Sequence, residues 1–496
     1  MTDTIDTLVR LHAARNADKP VVIDTDSQIT YQELDVVTRD LAAAFVGAGV
    51  GKGTRVGLIM PNSVQWVQIA VALTRIGAVL APLSTLLQPP ELVAQLRVAS
   101  VQYLVAVGEF RGHRYLDDLA PERSNLPALR EVWDAAALPA VRDGSVVDAV
   151  TTTVTPSDTL AIMFTSGSSG PPKGVIHSHG NALAAVRSGL AARCLDADTR
   201  LYLPMPFFWV GGFGSGVLSA LLAGATLVTE QIPRPETTLR LLERERVTLF
   251  RGWPDQAEAL ARQNDSVAAD LSSLRPGSLE ALLPADQRAV PGARARLFGM
   301  TESFGPYCGY PADTDMPRSA WGSCGKPFDG MEIRIVGVDD GMPVARGTIG
   351  EIQIRGPHVM RGICRRSHAD VFTPDGFYPT GDLGHLDDEG FMFYHGRSDD
   401  MFKVSGATVY PSEVEQALRT IDGVDGAFVT EVDGAVGAVV ISELAAGDLH
   451  AAARARLSAF KVPTVWLPVE SDDAIPRKAT GKVDVPALRG LLREAR

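Results

Sequence analysis

Apolar residues recur along this chain at two spacings. From Thr30 to Gly49, residues Tyr31, Leu34, Val37, Leu41, Ala44 and Phe45 fall at helical intervals, which predicts a helix with one buried face. The segment Arg55 to Met60 then has the mostly continuous apolar pattern of a strand buried on both faces. A helical pattern runs from Val64 to Ile76, and a second strand from Ala78 to Pro82. Such alternation predicts a mostly parallel sheet covered by helices, with ligands bound at the carboxyl ends of the strands. The rhythm returns with a strand from Thr159 to Phe164, a helix from Asn181 to Ala192, an apolar helix from Gly214 to Leu222 and a strand from Ala225 to Val228. Leu260 to Arg296 is poor in strand signal. Beyond Trp321, short β-like runs at Met331–Val336 and Gly350–Arg355 are divided by Gly and Pro turns, as in a small barrel. A short helix from Ser412 to Leu418 and strands from Ala427 to Glu431 and Val436 to Ile441 predict a separate α+β unit at the carboxyl end.

The strand ending at Phe164 empties into Thr165-Ser166-Gly167-Ser168-Ser169-Gly170-Pro171-Pro172-Lys173-Gly174, and an apolar, helix-capable stretch follows. A loop of this composition lets backbone N–H groups crowd round a phosphate without Cβ clashes. The hydroxyls of Thr165, Ser166, Ser168 and Ser169 add donors, and Lys173 adds charge. A solvated Gly/Ser linker is the competing reading. The Walker pattern is excluded because Lys173 follows Pro172 and precedes Gly174, and Pro171 breaks the Gly-x-Ser-x-Gly elbow of hydrolases.

Composition narrows the class. A chain of 496 residues exceeds one ordinary core, so two or more domains are expected. A formal charge of −12 argues against nucleic acid as a partner. Cys194, Cys308, Cys324 and Cys364 show no close pairing and read as reduced thiols. The acidic start, Met1-Thr2-Asp3-Thr4-Ile5-Asp6, lacks the order of a signal peptide, and Arg75 interrupts the longest apolar stretch. A cytoplasmic protein without a membrane span is the expectation; composition leaves its oligomeric state open, a homodimer included.

Three further clusters carry chemistry. Phe298-Gly299-Met300-Thr301-Glu302-Ser303-Phe304-Gly305 puts a hydroxyl and a carboxylate side by side, suited to one phosphate contact and one hard Mg²⁺ ligand. Tyr378-Pro379-Thr380-Gly381-Asp382, with Arg397 downstream, offers a carboxylate for ribose hydroxyls and a guanidinium for ribose and phosphate oxygens. Pro476-Arg477-Lys478-Ala479-Thr480-Gly481-Lys482 brings a lysine close to the carboxyl end.

With the Thr-Ser-Gly-Ser-Ser-Gly-x-Pro-Lys-Gly loop, these clusters make the chain resemble, over nearly its whole length, the adenylate-forming superfamily of acyl-CoA synthetases, nonribosomal adenylation domains and luciferases. The resemblance implies an α/β fold: a large amino-terminal AMP-binding domain (1–396) of two doubly wound sheets plus a small β-barrel, a hinge (397–400), and a small mobile α+β lid (401–496). It implies that residues 165–170 and Lys173 hold phosphates, that Thr301 meets the α-phosphate, and that Glu302 holds Mg²⁺. Asp382 and Arg397 would then bind the nucleotide, Asp399 would be the hinge, and Lys482 would be the adenylating lysine. The loop with Lys403, Ser405 and Gly406 would face coenzyme A once the lid has turned. Two features depart from the pattern: the Gly-Gly-Ala-Pro-like adenine turn has only a weak echo at Pro276-Gly277-Ser278, and Asp484 stands where the family often has Arg.

The activity so implied is ATP-dependent conversion of a carboxylic acid to an acyl-adenylate with release of pyrophosphate, then transfer to coenzyme A. Transfer to an amine is the alternative acceptor chemistry, and a non-catalytic ATP-binding regulator is the alternative of another class. Pro204-Met205-Pro206-Phe207-Phe208-Trp209-Val210-Gly211-Gly212 resembles the turn beside the acyl pocket, with Trp209 in place of the usual histidine. Trp209, Phe208, Gly299 and Phe304 are therefore the expected pocket residues, for an apolar, fatty or aryl acid.

Overall fold

The computed structural model describes residues 3–140, 144–165, 172–398, 402–404, 407–457, 461–477 and 483–495. Packing divides the chain into two compact units, one formed by residues 1–332 and 355–378, the other by 333–354 and 379–496. The expected hinge at 397–400 thus falls inside the second unit, and residues 399 and 400 lie outside the described residues.

The first unit contains two large sheets. One has seven strands in the order Gly362–Ile363, Lys173–Ser178, Thr159–Thr165, Val79–Pro82, Arg55–Ile59, Tyr103–Ala106 and Glu131–Asp134. From Thr159–Thr165 to Glu131–Asp134 neighbouring strands run parallel, and the two strands beyond Thr159–Thr165 are antiparallel. The central strands are buried on both faces, which is why their sequences are nearly unbroken runs of Val, Leu, Ile and Ala. The second sheet has five strands in the order Leu249–Phe250, Arg200–Tyr202, Thr226–Val228, Pro20–Ile23 and Gln28–Thr30; only the last pairing is antiparallel.

Three helices, Ile5–Arg15, Tyr31–Gly47 and Val64–Arg75, belong to the same core. Thr30 and Glu33 form a capping box at the start of the second, and the Ser63 hydroxyl accepts from Trp66 N at 3.1 Å at the start of the third. Arg75, fully buried, ties the three together: its guanidinium donates to Asp6 at 2.6 Å and to Asp35 at 2.8 Å. Its remaining donors reach the Asp35 carbonyl and the Thr38 hydroxyl, so the buried charge is both neutralised and fully hydrogen-bonded.

The expected helix from Asn181 to Ala192 begins earlier and ends earlier, at His179–Ser188. The chain turns at Gly189, and Arg193 folds back to donate to the Val186 and Gly189 carbonyls, satisfying the helix's carboxyl end with a cation. The expected helix at 214–222 is broken into a turn Val210–Gly212, a wide π-type segment Phe213–Leu218 and a short helix Ser219–Ala223. The short β-runs beyond Trp321 join small antiparallel sheets, the larger with strands Glu332–Val336, Gly350–Arg355, Tyr378–Leu386 and Met392–Arg397.

At its carboxyl end the second unit has strands Val424–Val432, Ala435–Ser442 and Val465–Val469 in one sheet, with helices Pro411–Leu418, Ala446–Arg454 and Val485–Glu494. The Asp484 carboxylate accepts from Ala487 N at 3.3 Å, so this residue starts the last helix as its cap. Among the described residues no helix is long and apolar enough to cross a membrane.

Candidate active site

Thr165, half-buried, stands opposite exposed Lys173 in the antiparallel pair formed by Thr159–Thr165 and Lys173–Ser178. Ser166, Gly167, Ser168, Ser169 and Gly170 lie outside the described residues. The stretch after the loop is a strand before it is a helix. Val175 and Ile176 pair with Met163 and Ile162, and these cross-strand apolar contacts outweigh the local helical preference. Ser178 then caps the helix that begins at His179.

The second cluster is a tight turn between two antiparallel strands, Phe298–Met300 and Gly305–Gly309. Gly299 has a backbone reason to be glycine, since a Cβ there would lie 2.1 Å from the Gly305 carbonyl oxygen. Ser303 is buried and donates to the Gly305 carbonyl at 2.7 Å, and Phe304 turns the chain with a φ of 50°. Thr301 is half-buried. Glu302 is buried; its carbonyl accepts from Met360 N at 2.8 Å and its carboxylate accepts from the Tyr378 hydroxyl at 3.3 Å. No group of three or more His, Cys, Asp or Glu among the described residues is arranged to hold a metal, so Glu302 offers a single hard oxygen donor. That fits a cation such as Mg²⁺, which takes one or two carboxylates and completes its shell with phosphate and water.

In the second unit, Asp382 and Arg397 are a register pair on neighbouring strands. Arg397 Nη1 donates to the Asp382 carboxylate at 3.3 Å and to the Thr380 carbonyl at 3.0 Å. The Thr380 hydroxyl donates to the Ile352 carbonyl at 2.7 Å and accepts from Asp382 N at 3.0 Å, fixing the turn. Gly381 has φ 71°, and a Cβ there would meet Arg397 Nη2 at 2.9 Å, so both conformation and space require glycine. Asp382 is almost buried while Arg397 is more open.

Of the expected pocket residues, Trp209 is half-buried and meets Phe208 edge-on at 5.6 Å and Trp253 at 6.2 Å between ring centroids. Phe304 is buried, in edge contact with His177 at 4.8 Å and Phe213 at 6.2 Å, and Phe207 and Phe213 both pack on Trp66. Asn62, which drew no attention in the sequence, clamps the turn before Trp209. Its amide donates to the Met205 carbonyl at 3.0 Å and accepts from Phe207 N at 2.8 Å. Its only signal was the polar pair Asn62-Ser63 between an apolar strand and an apolar helix.

Lys482, Asp399, Ser405 and Gly406 lie outside the described residues; Lys403 belongs to the strand Phe402–Val404. Pro276 and Ser278, the echo of the adenine turn, adjoin the strand Leu249–Phe250, where Phe250 N donates to the Ser278 hydroxyl at 3.1 Å.

Three histidines of the first unit, His177, His179 and His358, are buried and held neutral. Loss of hydration lowers their pKa values to about 3, 4 and 4 respectively.

Two α/β sheets, a sequence of small hydroxyl residues joining two of their strands, and the Thr301–Ser303 turn packed by the strand Thr159–Thr165 define a nucleotide-binding enzyme class. The chain belongs to the AMP-binding enzyme family, whose model matches residues 9–364. It is 33% identical to the Mycobacterium tuberculosis ligase named for a (7a-methyl-1,5-dioxo-octahydro-1H-inden-4-yl)propanoyl group and CoA, over 96% of each chain. It is 31% identical to indoleacetate–CoA ligase of Aromatoleum aromaticum, over 97% of this chain and 96% of the relative. In structure it is similar to the anthranilate CoA ligase AuaEII in complex with anthranoyl-AMP, with a TM-score of 0.83 at 24% identity over 100% of this chain and 98% of that one.

Proposed function

We propose that this protein is an AMP-forming acid–thiol ligase that activates a carboxylic acid with ATP and passes the acyl group to coenzyme A. The observation that carries the reading is its relation, over nearly the full length of each chain, to two enzymes named as CoA ligases. The acids in those names bear fused rings, and Trp209, Phe208 and Trp253 supply aromatic faces suited to such a group. We therefore assign a ring-bearing apolar acid as the substrate class, and the cytoplasm as the place where ATP and coenzyme A are met.

The barrier to adenylation is electrostatic, because a carboxylate must approach a polyanion while charge grows on the α-phosphate oxygens. Donors fixed beforehand lower that barrier. In this reading residues 165–170 and Lys173 hold the β- and γ-phosphates, Thr301 donates to the α-phosphate, and Asp382 accepts from the ribose hydroxyls while Arg397 steadies it. Lys482 orients the attacking carboxylate. Mg²⁺ held on Glu302 would neutralise phosphate charge. Asp399 serves as the pivot, and the loop of Lys403, Ser405 and Gly406 faces the thiol in the second half-reaction.

The test is to incubate the protein with ATP, Mg²⁺ and a panel of ring-bearing, fatty and small polar acids, follow pyrophosphate release, and identify the products with coenzyme A or amines added. Pyrophosphate and a thioester are expected with a ring-bearing acid. Release of no pyrophosphate with any acid refutes the reading, and an amide without a thioester replaces its acceptor.

A further inference from the structure

His177 lies four residues beyond Lys173 on the same strand, completely buried, and the reaction described above gives it no part. Its environment nevertheless determines where its proton sits. Asn181 Oδ1 accepts from Ser178 N at 2.7 Å, and Asn181 Nδ2 donates to the His358 carbonyl at 3.1 Å. A backbone N–H can only donate and a carbonyl can only accept, so these two bonds fix which end of the amide is which. The same Nδ2 lies 2.9 Å from His177 Nδ1, which is therefore the acceptor. In a neutral ring the proton is then on Nε2.

That Nε2–H is buried without a hydrogen-bond partner, and the backbone of Thr301 is near enough to the ring to favour its protonated form. A buried donor left unpaired is costly, so it gains by pairing with a carbonyl beside it. The other contacts of the ring lead to the same turn. Phe304, which ends it, sits edge-on to the imidazole at 4.8 Å. Met360 N, two residues past the His358 carbonyl that holds Asn181, binds the Glu302 carbonyl.

We propose that His177 is a positioning residue, its Nε2–H engaging the Thr301 carbonyl to hold Thr301 and Glu302 in register with the strand that starts at Lys173. The inference rests on the adenylation reading for its consequence, and on the tautomer set by Asn181, the unpaired buried Nε2 and the Phe304 contact for its existence. It explains how two stretches over a hundred residues apart in sequence keep a common frame at a nucleotide. Misplacement of a reacting group by about 1 Å costs on the order of 10²-fold in rate.

Two substitutions separate the two nitrogens. His177→Gln keeps a donor near the Nε2 position, whereas His177→Asn keeps an acceptor near Nδ1 for Asn181 and loses the donor toward Thr301. Pyrophosphate release by wild type and both variants is measured across ATP and acid concentrations, with thermal melting as the control for folding. The Gln variant is expected within a few-fold of wild type in kcat, and the Asn variant about 10²-fold lower with KM for the acid little changed. Equal losses in the two variants, or none in either, overturn the proposal. A separate reading comes from nitrogen-15 spectra of labelled histidine, which need no turnover. The Nε2–H tautomer is expected for His177, with its signal shifting when AMP is added; the Nδ1–H tautomer, or no shift on AMP binding, refutes the inference. A wild type without activity refutes the ligase reading, and the spectra still decide the role of His177.

Discussion

Arg397 holds Asp382 from the adjacent strand, its Nη1 reaching the carboxylate at 3.3 Å and the Thr380 carbonyl at 3.0 Å. The pair is directly opposed in the sheet, so the carboxylate is aimed by backbone pairing as well as by charge. If Asp382 accepts from the ribose, Asp382→Ala removes a charge-assisted hydrogen bond worth about 1.5–3 kcal/mol. The expected outcome is a roughly 10- to 100-fold rise in KM for ATP, read from initial rates of pyrophosphate release.

Lys482→Ala is expected to lower acid-dependent pyrophosphate release on the order of 10²–10³-fold, the usual cost of losing one preorganised donor. Binding of ATP, measured by calorimetry, should change much less. A variant that keeps full rate removes Lys482 from the mechanism.

Trp209 presents a half-buried indole against Phe208 and Trp253. Trp209→Ala should shift selectivity toward bulkier acids, with kcat/KM ratios changing by about 1–3 kcal/mol between acids that differ in size. An unchanged ranking of the acid panel assigns Trp209 to packing alone.

Arg75 has no exposed side-chain surface and serves Asp6 and Asp35 together. Arg75→Met leaves Asp35 without its cation and Asp6 with only the more open Arg10, a loss of about 3–5 kcal/mol. Urea denaturation followed by tryptophan fluorescence should show the first unit unfolding at clearly lower urea. Replacing Arg114, whose partner Asp117 is exposed, should move the midpoint far less.

The buried histidines set a direction for acid sensitivity. In the unfolded chain each takes a proton near pH 6.5, whereas in the fold His177 resists to about 3 and His179 and His358 to about 4. Between those limits the unfolded state binds more protons, so stability is complete above pH 6.5 and falls as the pH drops toward 4. Each histidine contributes a slope of about 1.4 kcal/mol per pH unit. Denaturation midpoints between pH 7.5 and 5 check this, and His179→Gln should flatten the curve.

The parts of the fold read correctly from sequence are those in which local pattern and tertiary burial agree. Val64–Arg75 was legible because its apolar face and Ser63 cap coincide, and the strands Arg55–Ile59 and Val79–Pro82 because burial on both faces leaves unbroken apolar runs. Lys173–Ser178 was missed because nothing local distinguishes its Val-Ile pair from the start of a helix; its identity is set by Met163 and Ile162 across the pair. Pro235–Arg244 and Pro254–Val267 escaped because each opens on Pro in a polar context. For the candidate site, motif spacing singles out Thr301, Glu302, Asp382 and Arg397. The Tyr378 hydroxyl on Glu302 and the Asn181 amide on the His358 carbonyl join residues too far apart in the chain for any periodicity to reveal.

Ser398 is tied twice to the Gly381 carbonyl, by its backbone N–H at 2.8 Å and by its hydroxyl at 3.0 Å. The polypeptide leaving this residue departs from a clamped anchor next to the Asp382–Arg397 pair. If the chain pivots at Asp399 as proposed, the turn lies beyond Ser398 and leaves the Asp382 carboxylate where its sheet and Arg397 hold it.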